Sequence, residues 1–407
     1  MRNVVVTGLS AVSALGLDYE STWDAVCRGI PGVREISRFD AGDLPCRVAA
    51  QLPEGAVETA KKAVKPRTRR QMTPITLVSV AAGVRAFENA GLGDNGLVAD
   101  RTGVAFGATG TGYALDEQAL DRDRPHSFRI LKNMPSAAPA FLAILLNARG
   151  PGFTASTACS SSALAVAQAA DIIRHDRADV MIAGGGDASV TPEDVAAFAE
   201  ILALSTRDCP PEEASCPFDR RRDGFVIGEG AAFLVLEEAG RARRRGAKIF
   251  AELAGSATLT EGYNILSPEK GGEGMARTLA AALRDARVDP GEIDYINAHG
   301  TSTPLNDPLE TRAIRKVLGS RAPKVPVSST KSMLGHTLAA AGALESVITV
   351  LALRQGLVPP TANLRQPDPE CDLDYVPGEA REIPLRAAVT HSFAFGGHNT
   401  VLVFRRT

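Results

Sequence analysis

Cys159 sits in the stretch STACSSSALAVAQAADIIRH, Ser156 to His175, between small residues and an alanine-rich segment. A free cysteine in such a place packs as a small hydrophobe, ligates a metal or attacks an electrophile. Ser160, Ser161 and Ser162 follow it. Serine is a good N-cap, and the Ala, Leu and Gln beyond are good helix formers. Ala163, Val166, Ala167, Ala170 and Ile173 fall on one helical stripe, while Gln168, Asp171 and His175 mark a polar side. A helix this apolar should be largely buried. A strand-like GFTAS before the cysteine and a helix after it would hold the sulfur on a tight turn. Cys159 then lies at a helix N-terminus, whose partial positive charge favours thiolate over thiol. On this stretch alone, packing and reactivity both stay open.

The histidines narrow the choice. Of six in the chain, His299 lies in NAHGTSTPLND and His336 in STKSMLGHTLAAAG. Each segment follows an expected strand and precedes an expected helix, the place where α/β sheets bind ligands. The three residues are far apart in sequence, without the close ligand pair of a metal site. Lys331 shares the His336 loop and Glu345 lies in the following helix, so the lysine either biases the histidine or is a solvated surface residue. His391 and His398 flank SFAFGG, a strand running into a glycine turn at Phe395, Gly396 and Gly397. Such a turn can aim a backbone N–H into a site, or simply join two strands. His126 and His175 lack such surroundings and read as surface residues. The loop DRRRDGFVIGEG, Asp219 to Gly230, lacks a Walker-type ending.

Around these residues, buried-strand patterns recur at Val4–Thr7, Gly103–Gly107, Val180–Gly184, Ala231–Glu237, Ile249–Gly255, Tyr295–Asn297, Val325–Ser328, Ala388–Ser392 and Val401–Phe404. Helical patterns are clearest at Ser162–Arg174, Met275–Ala286, Pro308–Leu318 and Ala339–Arg354. The alternation predicts an α/β fold with a mostly parallel core, covered on both faces. A chain of 407 residues suits two domains or two halves around one large core. The charged run EEAGRARRRGAK, Glu237 to Lys248, gives a provisional boundary between residues 1–247 and 248–407. The N-terminal MRNVVVTGLSAVSALG mimics a signal peptide but reads better as a buried strand and turn. No run looks long and apolar enough to cross a bilayer.

Composition excludes several classes. A net charge of −2 calls for neither nucleic acid nor a strongly acidic partner, and 5% aromatic residues argue against a base-stacking platform. Six scattered cysteines without a C-x-x-C pair point to reduced thiols in a cytoplasmic protein, with no metal site.

Taken together, TACSSS, DRRRDGFVIGEGA, NAHGTSTPLND, SSTKSMLGHTLAAAGALES, PPTANL and SFAFGGHN resemble the β-ketoacyl-acyl carrier protein synthases. The likeness runs from VVVTGLSAVSALG to FAFGGHNTVLVF, essentially the whole chain. It implies a thiolase-like fold, two pseudo-twofold-related halves layered α-β-α-β-α, and usually a dimer. It also implies roles. Cys159 matches the acyl-carrying nucleophile, His299 and His336 the paired catalytic histidines, and Lys331 and Glu345 their supports. Phe395 matches the gating residue whose N–H, with that of Cys159, forms an oxyanion hole beside Gly396 and Gly397. The implied reaction is decarboxylative condensation of malonyl-carrier protein with an acyl chain on Cys159. No cofactor is implied, since substrates arrive on the phosphopantetheine of an acyl carrier protein.

Departures from the family bear on substrate. Ser160–Ser162 resemble polyketide ketosynthases, His391 stands where asparagine is usual, and His398 where threonine is common. Gly110 and Phe198 match acyl-pocket positions, and the segment Asp116–Lys132 looks short. These features favour a ketosynthase of a type II polyketide or polyene pathway over housekeeping fatty-acid elongation. A non-catalytic chain-length partner would lack the nucleophile, and a thiolase would need a second active-site cysteine, which Cys371 does not match. Lys65, Arg67, Arg69, Arg70 and Arg207 form the basic surface expected to dock the carrier protein. The partner in the dimer is expected to be a second copy or a chain-length-factor-like homologue.

Overall fold

A computed structural model describes residues 1–93, 98–109 and 128–407. Its centre is a ten-stranded sheet. In chain order the strands are β1 (Val4–Ser13), β2 (Thr102–Gly107), β3 (Gly152–Ala155), β4 (Val180–Asp187), β5 (Gly230–Glu238), β6 (Ala251–Thr260), β7 (Tyr295–Asn297), β8 (Val327–Ser328), β9 (Ala387–Ala394) and β10 (His398–Arg405). The spatial order is β8-β7-β9-β10-β6-β1-β5-β4-β2-β3. Every strand expected from the sequence is present, with β1 running on to Ser13 and β6 to Thr260, beyond the expected ends. The signal-like N-terminus is β1, buried along its whole length.

The sheet order reads the same from both ends. On one side, β3, β2 and β4 run parallel, and β4, β5 and β1 alternate antiparallel. On the other, β8, β7 and β9 run parallel, and β9, β10 and β6 alternate. The two sets meet through a short antiparallel join, Val5 opposite Glu252 and Val6 opposite Ala251. The core is therefore mixed, not mostly parallel as expected. The antiparallel strands are as apolar on both faces as parallel ones, so periodicity could not tell them apart.

Strand alternation distributes the sheet over three cores. On β5, Ala232, Leu234 and Leu236 point into the central core, while Ala231, Phe233 and Val235 point into the outer core of the first half. On β10, Leu402 and Phe404 enter the central core, and Val401 and Val403 the outer core of the second half. Helices α1 (Pro74–Asn89) and α2 (Ala137–Leu146) cover the first outer face. Helices α4 (Glu273–Ala286) and α5 (Asn306–Leu318) cover the second. Between the halves lie α3 (Ser161–Arg174) and α6 (Ala341–Gln355), packed against each other. This is the α-β-α-β-α layering of the thiolase-like fold.

The two central helices are buried because they are apolar nearly all round. In α3 only Gln168 is exposed, and His175 follows it at the surface, matching the polar side read from the sequence. In α6 every residue from Ala341 to Leu353 is buried, and Gly356 ends it in the left-handed conformation (φ 66°). The segment Leu338–Gln355 is, against expectation, long and apolar enough to cross a membrane by composition, but 89% of it is buried inside the protein. It is a core helix.

The starts of α3 and α6 meet. The Ala343 N–H donates to Ser162 Oγ at 2.9 Å, and a Cβ on Gly342 would lie 2.6 Å from the Ala163 Cβ. Gly107 serves the same packing from β2, since a Cβ there would lie 2.3 Å from the Ser162 nitrogen. Gly342→Ala must push the helices apart, as overpacking does. It should cost about 1–3 kcal/mol, read as a lowered denaturant midpoint, whereas Gly378→Ala, with nothing near its missing Cβ, tests the strain of its positive φ alone.

Candidate active site

Cys159 stands on the turn from β3 into α3. Ala158 adopts φ 49°, a left-handed conformation that costs a residue with a Cβ about 1–3 kcal/mol. The serines hold the turn. Ser160 Oγ donates to the Thr157 carbonyl at 2.9 Å, and Ser161 Oγ to the Ala158 carbonyl at 2.6 Å. The Thr157 N–H in turn donates to Ser161 Oγ at 2.9 Å. All three serines are buried, and none lines the cavity onto which Cys159 opens. They brace the nucleophile's turn and its contact with α6, and they do not shape the space for a substrate.

Cys159 is 7% exposed. Burial pushes its thiol up to about 12, against the nearby charge of Lys331, and Asp187 pushes it the same way. The N–H groups of Phe395 and of Cys159 itself favour the anion but do not outweigh desolvation. The resting group is therefore a thiol. The helix N-terminus does not by itself make it a thiolate, as the sequence had led us to expect. Asp187 ends β4 in the buried state, accepts from Ser189 Oγ and Thr109 Oγ1 (2.6 and 2.7 Å), and has its own carboxyl raised by burial to about 6.

His299 follows β7, and His336 follows β8 and a short helical turn, Lys331–Leu334. Their rings lie 5.3 Å apart, nearly perpendicular at 85°. Phe225 packs edge-on against His336 at 5.2 Å. The His336 N–H donates to the Val226 carbonyl at 2.7 Å, which fixes its backbone. Burial, then the charge of Lys331, holds both imidazoles well below the ordinary histidine range. Both rings are therefore neutral near pH 7. Each buries Nδ1 without a partner among the described residues. An unmatched lone pair costs less than an unmatched N–H, so the proton belongs on Nε2 of each ring.

Lys331 is buried, not solvated. Its Nζ donates to the His299 carbonyl at 2.6 Å and to Glu345 Oε1. Burial raises the Glu345 carboxyl to about 7 in spite of Lys331. On the opposite side of the His299 backbone, the N–H groups of His299 and Gly300 both donate to Glu310 at 2.8 Å. Glu310 was missed in the sequence. Its signal was there: it falls on the buried stripe of α5 with Asp307, Ala313 and Ile314, and a carboxylate on a buried stripe must have partners.

Cys159, His299, His336, Phe393 and Phe395 share one largely apolar cavity of about 370 Å³. Thr301 and Thr303 line it, and exposed Ile201, Leu202, Leu266 and Leu305 ring its mouth. Gly396 and Gly397 follow Phe395 with φ 78° and 69°, and the Gly396 N–H donates to the Ile265 carbonyl at 2.7 Å. Phe198 is not on the cavity wall; it packs behind Phe225 at 5.6 Å. Gly110 and most of the segment 116–132 lie outside the described residues. Lys65, Arg67 and Arg70 are exposed on the turn before α1, while Arg69 is half-buried. Arg207 does not join them. Its guanidinium turns inward to the Glu213 carbonyl, to the Arg221 carbonyl and to Cys216 Sγ, so it braces its own loop. Among the described residues no His, Cys, Asp and Glu cluster could hold a metal.

For a thiol held near 12 the thiolate fraction rises about tenfold per pH unit throughout the neutral range. Alkylation of Cys159 by iodoacetamide, followed by intact mass, should rise about tenfold per pH unit from pH 6 to 9. A plateau near pH 7 would show a thiolate already formed in the resting protein.

Residues 1–242 match the family model for the beta-ketoacyl synthase N-terminal domain, and residues 250–365 the one for its C-terminal domain. The 3-oxoacyl-(acyl-carrier-protein) synthase 2 of Synechocystis sp. is 42% identical over 412 residues, covering 100% of this chain and 98% of its own. Among solved structures, the ishigamide ketosynthase/chain length factor superposes with a TM-score of 0.91 at 34% identity, covering 100% of this chain and 99% of its own. A type II PKS acyl-carrier protein in complex with its ketosynthase bound to the hexaketide gives 0.88 at 33%, with the same coverage. With one buried thiol, two neutral imidazoles and a glycine turn meeting at a single cavity, the chain belongs to the beta-ketoacyl synthases, the condensing acyltransferases of the thiolase-like fold.

Proposed function

We propose that the chain condenses malonyl-carrier protein with an acyl group held on Cys159, releasing CO₂ and β-ketoacyl-carrier protein. The observation that carries this reading is the meeting of Cys159, His299 and His336 on one cavity, with Phe395 and Gly397 of the glycine turn on the same wall. In the first half-reaction, Cys159 sulfur attacks the acyl thioester carbonyl, and its proton leaves with the pantetheine thiol. The oxyanion sits on the N–H groups of Cys159 and Phe395. In the second, the Nε2–H groups of His299 and His336 donate to the malonyl thioester oxygen and stabilise the enolate formed as CO₂ departs. A neutral imidazole with its proton on Nε2 still offers one N–H donor at that nitrogen. The enolate carbon attacks the acyl-Cys carbonyl, and the sulfur leaves as a thiolate that takes a proton from water to restore the resting thiol.

Lys331 and Glu345 support His299. We assign the nucleophile to the half formed by residues 1–247 and the histidines to residues 248–407. An acyl carrier protein delivers both substrates, and exposed Lys65, Arg67 and Arg70 are our candidates for its docking surface, now without Arg207. By analogy with the ketosynthase/chain length factor, the partner subunit is a second copy or a homologue.

For the pathway, we propose type II polyketide or polyene assembly in the cytoplasm. The likeness to two polyketide-type structures supports this, whereas His391 and His398, which set the chain apart from the family, do not line the cavity. The three serines no longer weigh here, because they brace the turn. Fatty-acid elongation is the second reading, favoured by 42% identity over the whole length of a 3-oxoacyl-(acyl-carrier-protein) synthase 2. Intact-mass analysis with a panel of acyl-carrier proteins separates them. Preferential loading of Cys159 with unreduced or polyene chains supports the polyketide reading, and preferential loading with saturated chains supports elongation.

Cys159→Ala should lose acyl transfer and condensation altogether, and normal turnover by that variant would overturn the nucleophile assignment. His299→Ala should retain self-acylation while malonyl decarboxylation falls about 10²–10³-fold, the usual cost of one oxyanion donor. Equal loss of both would count against its role at the enolate.

A further inference from the structure

His391 takes no part in the chemistry proposed above, yet it is 1% exposed and lies close to His299. It sits on β9, and its Nδ1 is 2.8 Å from Glu310 Oε1. That same oxygen accepts the His299 N–H, while Oε2 accepts the Gly300 N–H at 2.8 Å and Asn306 Nδ2 at 3.3 Å. Burial pushes the Glu310 carboxyl up, but the hydrogen bonds from His391, Gly300 and His299 hold it below the usual carboxylate range. Both of its oxygens already accept N–H groups, from His299, Gly300 and Asn306, so it is the acceptor toward His391 as well, and His391 donates from Nδ1. Among the described residues no lysine or arginine comes within ion-pair distance of Glu310; His391 is its one basic partner.

His391 reaches His299 by two routes. Through Glu310 it acts on the His299 and Gly300 N–H groups. Through Phe393, whose ring lies 5.0 Å from His391 and 6.1 Å from His299, it acts on the imidazole itself. Lys331 grips the other side of the same peptide, at the His299 carbonyl. His299 therefore hangs between two buried acid–base pairs, Glu310 with His391 and Glu345 with Lys331. An amide in place of His391 could donate one hydrogen bond to Glu310 but would present no aromatic ring to Phe393.

We propose that His391 is a positioning residue: it anchors Glu310, and through it sets the His299 backbone so that the ring meets the malonyl thioester oxygen. This rests on the condensation reading. The second half-reaction depends on His299 and the first on Cys159, so the two should separate when His391 is changed.

The test compares His391→Leu, which has no donor, with His391→Asn, which keeps one. In His391→Leu, kcat for malonyl decarboxylation should fall about 100-fold, as for an ångström-scale misplacement of a catalytic group. The KM for malonyl-carrier protein and the rate of Cys159 self-acylation should stay within about threefold, while His391→Asn should recover most of the lost kcat. Equal loss of self-acylation and decarboxylation, unchanged decarboxylation in His391→Leu, or an asparagine variant no better than leucine would each overturn the positioning role. If His391→Leu fails to fold by circular dichroism, His391→Gln replaces it, since its longer arm displaces the amide from Glu310; equal decarboxylation by Gln and Asn variants then overturns the proposal. A wild-type protein that does not decarboxylate malonyl-carrier protein would instead overturn the condensation reading itself.

Discussion

The approach of two helix starts at the centre of the molecule sets the geometry of the site. Helices α3 and α6 begin where Gly342 lies against Ala163 and where Ser162 Oγ accepts the Ala343 N–H. Cys159 lies just before α3, and His336 just before the turn into α6. A side chain at 342 or a missing hydroxyl at 162 would therefore move nucleophile and histidine relative to each other. Packing at the interior density of proteins transmits such shifts with little loss. The serines after Cys159 belong to this constraint, which explains why they are buried and bonded, and not facing substrate.

Burial then decides the charge states. In water a helix N-terminus and a nearby lysine would favour a thiolate, but at Cys159 desolvation wins and the thiol is pushed up to about 12. The same desolvation keeps His299 and His336 neutral. The site therefore rests uncharged on its reacting side, while its ionisable groups Lys331, Glu345 and Glu310 stand one layer back. In a cavity of low polarity, fixed N–H donors act more strongly on a developing oxyanion than they would in water.

Much of this was legible in the sequence, and what was not has a physical reason. Apolar β-branched runs marked the strands, and alanine-rich periodicity marked α3 down to the exposed Gln168 and His175. The loops of His299 and His336 stood out because strand, polar Gly-flanked segment and helix followed one another. Strand direction was not legible, because both faces of the sheet are covered and every strand looks alike. Nor was the state of Cys159, since desolvation depends on which distant segments close over the sulfur. Arg207 looked like part of a basic surface, but a guanidinium can reach its own loop's carbonyls as easily as solvent. Glu310 was written on a buried stripe, and only its partner His391 had drawn notice, for a different reason.

The symmetry of the sheet shows how one frame yields two kinds of chemistry. β3 and β8 hold equivalent edges, and each leads into a central helix: the first delivers Cys159, the second His336. β2 and β7 are equivalent in turn, as are β4 and β9. The loop after β7 carries His299, gripped by Glu310 and Lys331, whereas β2 leads to Thr109, which donates to Asp187 at the end of β4. The end of β9 opens instead into the Phe395 turn. Equivalent strand ends thus supply a nucleophile and a buried carboxyl from one half, and hydrogen-bond donors from the other. A single cavity can receive both sets because the pseudo-twofold brings the two groups of strand ends to the same place.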